Sequence, residues 1–293
     1  MSQSSKLRAL LRAPGMVIAP GAYDGLTAKL VAQAGFSAVY MTGAGTSVSH
    51  GYPDFGLLTE TEMVTNAARM VRAVDVPVIA DADTGYGNEL NVVRTVRDYE
   101  RAGVAGIHIE DQVSPKRCGH LDDKEIVPRE DWLAKIRAAA GSRKDPDFLI
   151  IARTDSRAMA GFEEAVARAN LALEAGADMA FLEAPKTMEE IIAVPRLVRG
   201  PCLLNVVWGG KTPDIDLREA ERIGFKLAIV PGLLLKATIG ACDVALAALK
   251  ETHAHPVPPG RMTVGDAFNR AGAEEWDAFR TQFRVAETKK AAE

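Results

Sequence analysis

Short apolar runs alternate with amphipathic segments along most of the chain. Each run spans four to eight residues, is nearly all apolar and reaches polar residues at its end. Such runs are typical of parallel strands that are covered on both faces. The pattern predicts eight strands, at Met16–Pro20, Ala38–Met41, Val76–Asp81, Gly106–Asp111, Phe148–Asp155, Met179–Glu183, Cys202–Asn205 and Leu227–Val230.

The segments between these runs have helical character. Thr59 and Glu62 have the spacing of a capping box at the start of a helix over Glu60–Ala73. Further helices are predicted at Glu89–Ala102, Glu130–Ala140 and Phe162–Ala175. Glycines that can end a helix in the left-handed conformation stand at Gly35, Gly103, Gly176 and Gly224.

Eight strand-and-helix units in about 250 residues predict an α/β fold, a (β/α)8 TIM barrel. A doubly wound open sheet gives the same alternation, but it is disfavoured because the chain lacks a Gly-rich dinucleotide-binding turn. We assign residues 1–250 to the barrel domain, with a last helix at Leu233–Lys250. Residues 251–293, helical again over Val264–Ala286, are predicted to form a C-terminal extension that packs on the barrel or on a neighbouring subunit.

The composition indicates a soluble protein with a small ligand. The 293 residues are 47% hydrophobic and 25% charged, with a net charge of -4. No face-wide run of Lys and Arg is present, so nucleic acid is not an expected partner. Three cysteines are too few for a disulfide framework, and Met1–Arg12 lacks an apolar signal core, which favours a reducing cytoplasm. No stretch approaches the roughly 20 apolar residues that cross a bilayer, so no membrane association is expected.

Polar side chains follow successive strands where each strand ends. In a barrel these ends meet at one mouth, where active sites form. The positions are Thr42, Asp81, Asp83, Glu110, Arg153, Asp155, Glu183 and Asn205. Converging carboxylates need a compensating cation, and oxygen ligands in this number are typical of Mg2+, with Mn2+ as an alternative. The competing interpretation is that each acid only caps the next helix.

Three further features of the sequence describe the predicted site at the barrel mouth. Asp81 and Asp83 are two residues apart, so in a continuing strand both face the same side. The Gly-rich segment from Thr42 to Gly45 offers backbone amides to a carboxylate or a phosphate. Arg153 either grips a substrate carboxylate with two hydrogen bonds or forms a structural ion pair with the mouth acids, and the residues alone leave both roles open.

Cys118 stands in the segment Lys116-Arg117-Cys118-Gly119-His120, between two cations and an imidazole. This setting favours a thiolate or an easily transferred thiol proton. The alternative is an ordinary basic loop in which the cysteine is incidental. We therefore expect Cys118 to take part in catalysis.

Five blocks of the sequence together resemble the isocitrate lyase and phosphoenolpyruvate mutase superfamily, from about Leu7 to Lys250. They are Gly51-Tyr52-Pro53-Asp54, Asp81-Ala82-Asp83-Thr84-Gly85-Tyr86-Gly87, His108-Ile109-Glu110-Asp111-Gln112, Lys116-Arg117-Cys118-Gly119-His120 and Ala152-Arg153-Thr154-Asp155. The resemblance implies a (β/α)8 barrel, Mg2+ dependence and a mobile loop that carries the cysteine. It also implies a homotetramer, a dimer of swapped dimers in which the last barrel helix is exchanged between subunits.

The resemblance also implies roles for individual positions. Asp81 and Asp83 resemble the metal-site acids, with Asp54 and Glu110 reaching the ion mainly through water. The positions that resemble contacts of a small carboxylate substrate are Thr42, Gly43, Ala44, Gly119, Arg153, Glu183 and Asn205. Cys118 resembles the catalytic acid, and Lys116, Arg117 and His120 are expected to tune its affinity for the proton.

The cysteine favours the carbon–carbon lyases of the superfamily over the phosphonomutases, whose corresponding loop has none. The segment Gly209-Gly210-Lys211-Thr212-Pro213 is more similar to the dimethylmalate lyases than to the methylisocitrate lyases, while Trp208 departs from both. We therefore expect a Mg2+-dependent lyase that cleaves a 2-hydroxy di- or tricarboxylate, of the 2,3-dimethylmalate or 2-methylisocitrate type, to a 2-oxo acid such as pyruvate and a carboxylic acid. The alternatives are an oxaloacetate hydrolase, an enzyme similar to the phosphonomutases, and a non-catalytic metabolite-binding barrel.

Overall fold

The chain folds into a closed barrel of eight parallel strands, in chain order around the ring. The computed structural model describes residues 2–121 and 123–290. The strands are β1 (Val17–Ala22), β2 (Val39–Met41), β3 (Val78–Asp81), β4 (Gly106–Glu110), β5 (Leu149–Thr154), β6 (Met179–Leu182), β7 (Cys202–Asn205) and β8 (Leu227–Val230). Each lies within two residues of its predicted ends, so the (β/α)8 prediction is confirmed.

Helices precede β1, connect the successive strands along the chain and continue after β8. They are α1 (Gln3–Arg12), α2 (Gly25–Gln33), α3 (Gly43–Ser49), α4 (Glu60–Ala73), α5 (Glu89–Ala102), α6 (Arg129–Ser142), α7 (Arg157–Ala160), α8 (Phe162–Glu174), α9 (Met188–Leu197), α10 (Leu217–Ile223), α11 (Leu233–Thr252), α12 (Val264–Arg270) and α13 (Ala273–Lys290). The predicted capping box of α4 is confirmed, because Thr59 N–H donates to Glu62 Oε2 at 2.8 Å while Glu62 N–H donates to Thr59 Oγ1 at 3.4 Å.

The predicted helix-ending glycines adopt the left-handed conformation. Gly103 has φ +87° directly after α5, and Gly224 has φ +118° after α10. Gly35 and Gly176 have φ +89° and +109°. Because a Cβ atom disfavours these angles, glycine lets the chain turn sharply from each helix into the next strand.

Buried apolar side chains fill both the inside of the barrel and the layer between strands and helices. Tyr40, Ile79, Ile151, Phe181 and Ile229 belong to the interior cluster. A second cluster packs strand residues such as Ile107 and Ile109 against helix residues such as Met63, Val92 and Val96. Strands with apolar side chains on both faces are thereby covered on both sides, and the polar residues are left at the strand ends.

The chain divides into two compact units, Met1–Ala237 and Thr238–Glu293. The boundary between the two units falls inside α11, whereas the predicted domain boundary follows Lys250. The assignment of α11 as the last barrel helix stays a prediction. The predicted helical segment over 264–286 is helical in the structure and consists of two helices, since Gly272 with φ +99° separates α12 from α13. Within the described residues, no helix combines the length and the apolar character that a membrane span requires.

Candidate active site

A cavity of about 190 Å³ opens at the mouth formed by the strand ends. The structure brings these predicted site residues to its wall: Thr42, Ala44, Asp54, Asp81, Cys118, Gly119, His120, Arg153, Glu183 and Asn205. Gly43, Asp83, Glu110 and Lys116 lie behind the wall and contact it through hydrogen bonds or ion pairs. The small volume suits a small ligand.

Asp81 ends β3 and is fixed by backbone amides from two directions. Its Oδ1 atom accepts from Asp83 N–H at 3.0 Å, and its Oδ2 atom accepts from Gly43 N–H at 3.2 Å. The prediction that both aspartates face one side of a continuing strand is wrong in detail, because the chain turns at Asp83, which has φ +46°. Burial raises the pKa of Asp81, but His108, Lys116 and Arg153 outweigh it and hold the pKa at about 2.

Lys116 places its ammonium group between two carboxylates. Its Nζ atom lies 2.5 Å from Asp54 Oδ1 and 2.9 Å from Asp83 Oδ1. Burial lowers the pKa of Lys116, but these two acids outweigh it and raise the pKa well above its usual value. Burial raises the pKa of Asp83 to about 6 although Lys116 lowers it. The ammonium therefore stays charged and neutralises the acid cluster.

The donor set suits a hard divalent cation. Asp54, Asp81, Asp83 and Glu110 supply only oxygen ligands, and the buried Oε1 atom of Glu110 accepts no hydrogen bond. Across residues 2–121 and 123–290, however, no three or more His, Cys, Asp and Glu side chains are already arranged around one ion position. Lys116 supplies positive charge here, so an ion that binds Asp54 and Asp83 has to displace its ammonium group.

Arg153 is held by acids from three neighbouring strands. The parallel register places Glu110 of β4 beside Arg153 of β5, and both side chains point into the barrel. Arg153 Nη1 lies 3.0 Å from Glu110 Oε2, Nε lies 2.9 Å from Asp155 Oδ2, and Nη2 lies 3.5 Å from Glu183 Oε2. Of the two roles left open by the sequence, the ion pair is the one present in this conformation, and substrate contact stays a prediction.

The Gly-rich segment after β2 forms the first turn of α3. Thr42 is the N-cap, and its Oγ1 atom accepts from Gly45 N–H at 3.3 Å. A Cβ atom on Gly43 would lie 2.5 Å from Asp81 Oδ2, so only glycine permits this close approach. The predicted cradle is therefore present as a turn, but the amides of Gly43 and Gly45 already donate within the protein.

The described part of the loop between β4 and α6, hereafter the cysteine loop (residues 112–121 and 123–126), lies over the cavity. An antiparallel bridge between Gln112 and Ile126 closes its base. At its tip, Cys118 N–H donates to the carbonyl oxygen of Asp54 at 3.2 Å. A Cβ atom on Gly119 would lie 2.6 Å from both Arg153 Nη2 and Glu183 Cγ, so the backbone at Gly119 sits directly against the mouth.

The setting of Cys118 favours a protonated thiol over a thiolate, the two forms that the sequence left open. Burial and the carboxylate of Asp54 raise the pKa of Cys118 to about 11. The two flanking cations point elsewhere, since Lys116 pairs with acids and the Arg117 guanidinium lies 5.1 Å from the ring centroid of Phe55. A thiol whose proton can be transferred, one of the two predicted forms, is consistent with this setting.

Hydrogen bonds fix the His120 ring in one tautomer. The backbone N–H of Lys211 donates to Nδ1 at 3.0 Å, so Nδ1 is unprotonated and Nε2 carries the proton. His120 Nε2 lies 3.2 Å from Glu183 Oε1. Asn205 Nδ2 donates to Glu183 Oε2 at 3.1 Å, which completes a chain of contacts from the cysteine loop to β6 and β7.

Three residues near the cavity have no role in the sequence prediction. Tyr40 lines the cavity and its hydroxyl lies 2.8 Å from His108 Nε2, while burial lowers the pKa of His108 to about 4. Lys124 is buried in the cysteine loop and pairs with Asp155 at 3.0 Å. Tyr40 and His108 lie inside apolar runs that are typical of a hydrophobic core, so the sequence does not mark them as site residues. Lys124 lies in a polar loop, where the sequence does not indicate that a lysine is buried.

Comparisons with known proteins agree with this geometry. A family model described as phosphoenolpyruvate phosphomutase matches residues 7–250. The 2,3-dimethylmalate lyase of Eubacterium barkeri is 52% identical over 232 residues, which cover 79% of this chain and 80% of that protein. The 2-methylisocitrate lyase of Aeropyrum pernix is 45% identical over 245 residues, which cover 84% of this chain and 79% of that protein.

Solved structures superpose over nearly the whole chain. A crystal structure of 2,3-dimethylmalate lyase gives a TM-score of 0.92 at 42% identity, covering 96% of this chain and 95% of that one. An oxaloacetate acetylhydrolase in complex with 3,3-difluorooxalacetate also gives 0.92, at 37% identity and 97% coverage of both chains. A phosphonopyruvate hydrolase in complex with oxalate and Mg++ gives 0.87, at 31% identity, covering 97% of this chain and 99% of that one.

Proposed function

Because this chain belongs to the phosphoenolpyruvate mutase and isocitrate lyase superfamily, we propose that it is a Mg2+-dependent carbon–carbon lyase. The substrate is a 2-hydroxy di- or tricarboxylate of the 2,3-dimethylmalate or 2-methylisocitrate type, and the products are a 2-oxo acid such as pyruvate and a second carboxylic acid. The observation that carries the proposal is the position of Cys118 at the wall of a cavity that also holds a cluster of acids.

Asp81, Asp83, Asp54 and Glu110 are the residues proposed to hold the divalent ion. When bound, the ion polarises the C2 oxygen and the adjacent carboxylate of the substrate, which lowers the pKa of the C2 hydroxyl. Mg2+ is the proposed ion because every donor is an oxygen, and Mn2+ is the alternative. The phosphonopyruvate hydrolase complex supports Mg2+, since that structure contains the ion together with oxalate.

The proposed chemistry breaks the C2–C3 bond. A general base accepts the C2 hydroxyl proton, the C2–C3 bond breaks to give a 2-oxo acid, and the electron pair of the broken bond remains on the other fragment. Cys118 donates its thiol proton to that carbon, because its pKa of about 11 keeps the proton in place near neutral pH. Arg153 and His120 provide N–H groups beside the developing negative charge.

The wall of the cavity formed by residues from β7 to the start of α11 favours a dicarboxylate over a tricarboxylate. Val207, Ile229, Pro231 and Leu235 give this wall an apolar surface that suits an alkyl substituent. Lys236 is the cation at this end, and its ammonium group donates to the carbonyl oxygen of Trp208 at 2.6 Å. Because Lys236 and Arg153 are both engaged by oxygens of the protein, a third carboxylate of the substrate would have to displace one of these contacts.

A substrate panel tests the proposed activity. Purified protein with Mg2+ is assayed on 2,3-dimethylmalate, 2-methylisocitrate, isocitrate, alkylmalates and oxaloacetate, and we expect the largest kcat/KM for a 2-alkylmalate-type dicarboxylate. Cys118→Ser is the control, because it replaces the thiol by a much weaker acid and is expected to lose most turnover while retaining product binding. Near-normal turnover by Cys118→Ser removes the assignment of Cys118 as the acid.

The same panel separates the other candidate functions. Turnover of oxaloacetate alone, with release of oxalate and acetate, would indicate that the protein is an oxaloacetate hydrolase. The similarity to oxaloacetate acetylhydrolase supports this alternative. Binding of these acids without turnover of any of them would indicate a metabolite-binding barrel. Turnover of phosphoenolpyruvate-type substrates would indicate a phosphonomutase.

We also propose that the protein is a homotetramer, built from dimers that exchange α11. In the unit Thr238–Glu293, no residue of the range 238–284 is buried within the single chain. The exposed apolar side chains of this unit include Val244, Leu246, Phe268 and Trp276. A segment with so little core of its own needs a neighbouring surface, and a second copy provides one. A cytoplasmic location stays a prediction.

A further inference from the structure

Lys124 belongs to the cysteine loop, and its buried ammonium group contacts the tip of the loop. The side chain is 1% exposed, and Nζ pairs with Asp155 Oδ1 at 3.0 Å. The same Nζ atom donates to the carbonyl oxygen of Gly119. Lys124 therefore connects the end of β5 to the peptide that directly follows Cys118.

The partner of Lys124 is itself fixed. Asp155 N–H donates to Asp111 Oδ1 at 2.8 Å, which ties the end of β5 to the end of β4. The Asp155 side chain also accepts from Arg153 Nε at 2.9 Å. Because Asp155 is fully buried and held by these contacts, it gives the ammonium group of Lys124 a defined position.

The loop base holds the backbone of Lys124 in the same way. Val113 N–H donates to the carbonyl oxygen of Glu125 at 2.8 Å, and Gln112 bridges Ile126. Lys124 thus belongs to the anchored end of the loop, whereas Gly119 belongs to the tip. At the tip, Leu121 N–H donates to the carbonyl oxygen of Cys118 at 2.9 Å, which closes a turn and leaves the Gly119 carbonyl directed at Lys124.

We propose that Lys124 is a positioning residue for Cys118: its ammonium group, fixed by Asp155, binds the Gly119 carbonyl and holds the thiol over the cavity. A hydrogen bond from a buried cation is stronger than one between neutral groups, so this contact contributes more to the tip position than the amide contact of Cys118 with Asp54. The inference rests on the proposed function, because Cys118 is the group being positioned.

The test measures the rate at which Cys118 is alkylated by iodoacetamide, read by mass spectrometry. A Cys242→Ser background removes the exposed cysteine, and Cys202 is buried. In Lys124→Met we expect Cys118 to be alkylated at least tenfold faster, since the tip loses its charge-assisted hydrogen bond and opens more often. Loss of a nearby cation alone would raise the thiol pKa and slow the alkylation, so an increase in the alkylation rate indicates that the loop tip opens.

Matched variants separate positioning from general destabilisation. Lys135→Met removes another buried lysine, whose Nζ atom donates to the Thr84 carbonyl outside the loop, and is expected to leave the alkylation rate within about twofold of the parent. Lys124→Arg keeps the charge and is expected to recover part of the slow rate. Should Lys124→Met fail to fold, Lys124→Gln, which keeps an N–H donor, takes its place with a smaller expected increase.

Kinetics give a second reading. With the preferred substrate, kcat of Lys124→Met is expected to fall at least tenfold while KM changes less than threefold, because the acid is displaced and the mouth is unchanged. A folded Lys124→Met protein with an unchanged or slower alkylation rate overturns the proposal. The alkylation assay needs no substrate and therefore tests the positioning role separately from the proposed function. A parent protein without lyase activity contradicts the proposed function, and the alkylation rates still decide the positioning role.

Discussion

Lys116 Nζ lies 2.9 Å from Asp83 Oδ1 and 2.5 Å from Asp54 Oδ1, so one buried ammonium group neutralises two of the carboxylates assigned to a divalent ion. Lys116 belongs to the cysteine loop, whereas the aspartates belong to the segments after β2 and β3. The lysine and the proposed ion therefore compete for the same oxygens.

Lys116→Met is expected to make the stability of the protein depend on Mg2+. Buried Asp83 and half-buried Asp54 lose their cation, and the free energy of unfolding in a chelator is expected to fall by about 3 kcal/mol. Saturating Mg2+ is expected to recover much of this loss, because an ion that binds the folded state alone stabilises it. Urea unfolding with EDTA and with Mg2+ measures both effects.

Lys135→Met provides the comparison for that experiment. It removes a buried lysine that donates to a carbonyl oxygen, the oxygen of Thr84, and has no carboxylate partner at hydrogen-bond distance in the described residues. Its loss of stability is expected to remain when Mg2+ is added. An equal recovery in both variants, or none in Lys116→Met, contradicts the competition between Lys116 and the ion.

Gly119→Ala is expected to prevent the cysteine loop from lying on the mouth. The added Cβ atom would lie 2.6 Å from Arg153 Nη2 and Glu183 Cγ, well inside contact distance. Because Cys118 is the adjacent residue, kcat is expected to fall by about a hundredfold, an order-of-magnitude figure for a misplaced catalytic group. Thermal unfolding is expected to change little, since the clash disappears when the loop opens.

Gly141→Ala in α6 is the matched control, because its Cβ atom would meet no atom within 4 Å. It is expected to retain the parent kcat and to be slightly more stable, as alanine is a better helix former than glycine. Full activity in Gly119→Ala would show that turnover does not need the loop in this position.

The sequence predicts which residues gather at the mouth but not how they pair. The apolar runs determine where β4 and β5 end, and therefore place Glu110 and Arg153 at the same rim. Their ion pair depends on the register between the two strands, which sets Glu110 directly beside Arg153 and which no local pattern encodes.

The protonation of Cys118 shows the same limit. In the sequence the thiol follows two cations and stands two residues before an imidazole, which favours a thiolate or an easily transferred thiol proton. In the fold, Lys116 turns to Asp54 and Asp83, and burial beside Asp54 dominates. Neighbours in sequence point in different directions in an irregular loop, so the local electrostatics require the three-dimensional structure.

The rate at which Cys118 is alkylated is expected to keep rising at pH values where an activated thiol, with its lowered pKa, has already reached its maximum rate. Its pKa of about 11 means that the reactive thiolate rises about tenfold for each pH unit up to that value. Rates of iodoacetamide labelling in the Cys242→Ser background, taken from pH 7 to the highest pH at which the protein stays folded, measure the profile. A plateau below pH 9 would indicate a stabilised thiolate and contradict the role of Cys118 as a proton donor.

Leu246→Asp is expected to break the proposed assembly. Leu246 is 63% exposed in the single chain and lies in α11, where no residue is buried. If a second copy covers this helix, a charge there costs desolvation energy in the assembly and nothing in the isolated chain. Light scattering coupled to size-exclusion chromatography is expected to report a tetramer for the parent and a smaller species for the variant.

Leu90→Asp is the matched control for that variant, since Leu90 is a 73% exposed leucine near the start of α5. It is expected to keep the mass of the parent, because an acid in the first turn of a helix is favourable and α5 already buries one face against the barrel. A parent that runs as a monomer would refute the tetramer. An unchanged mass in Leu246→Asp would place the subunit contact on a surface other than α11.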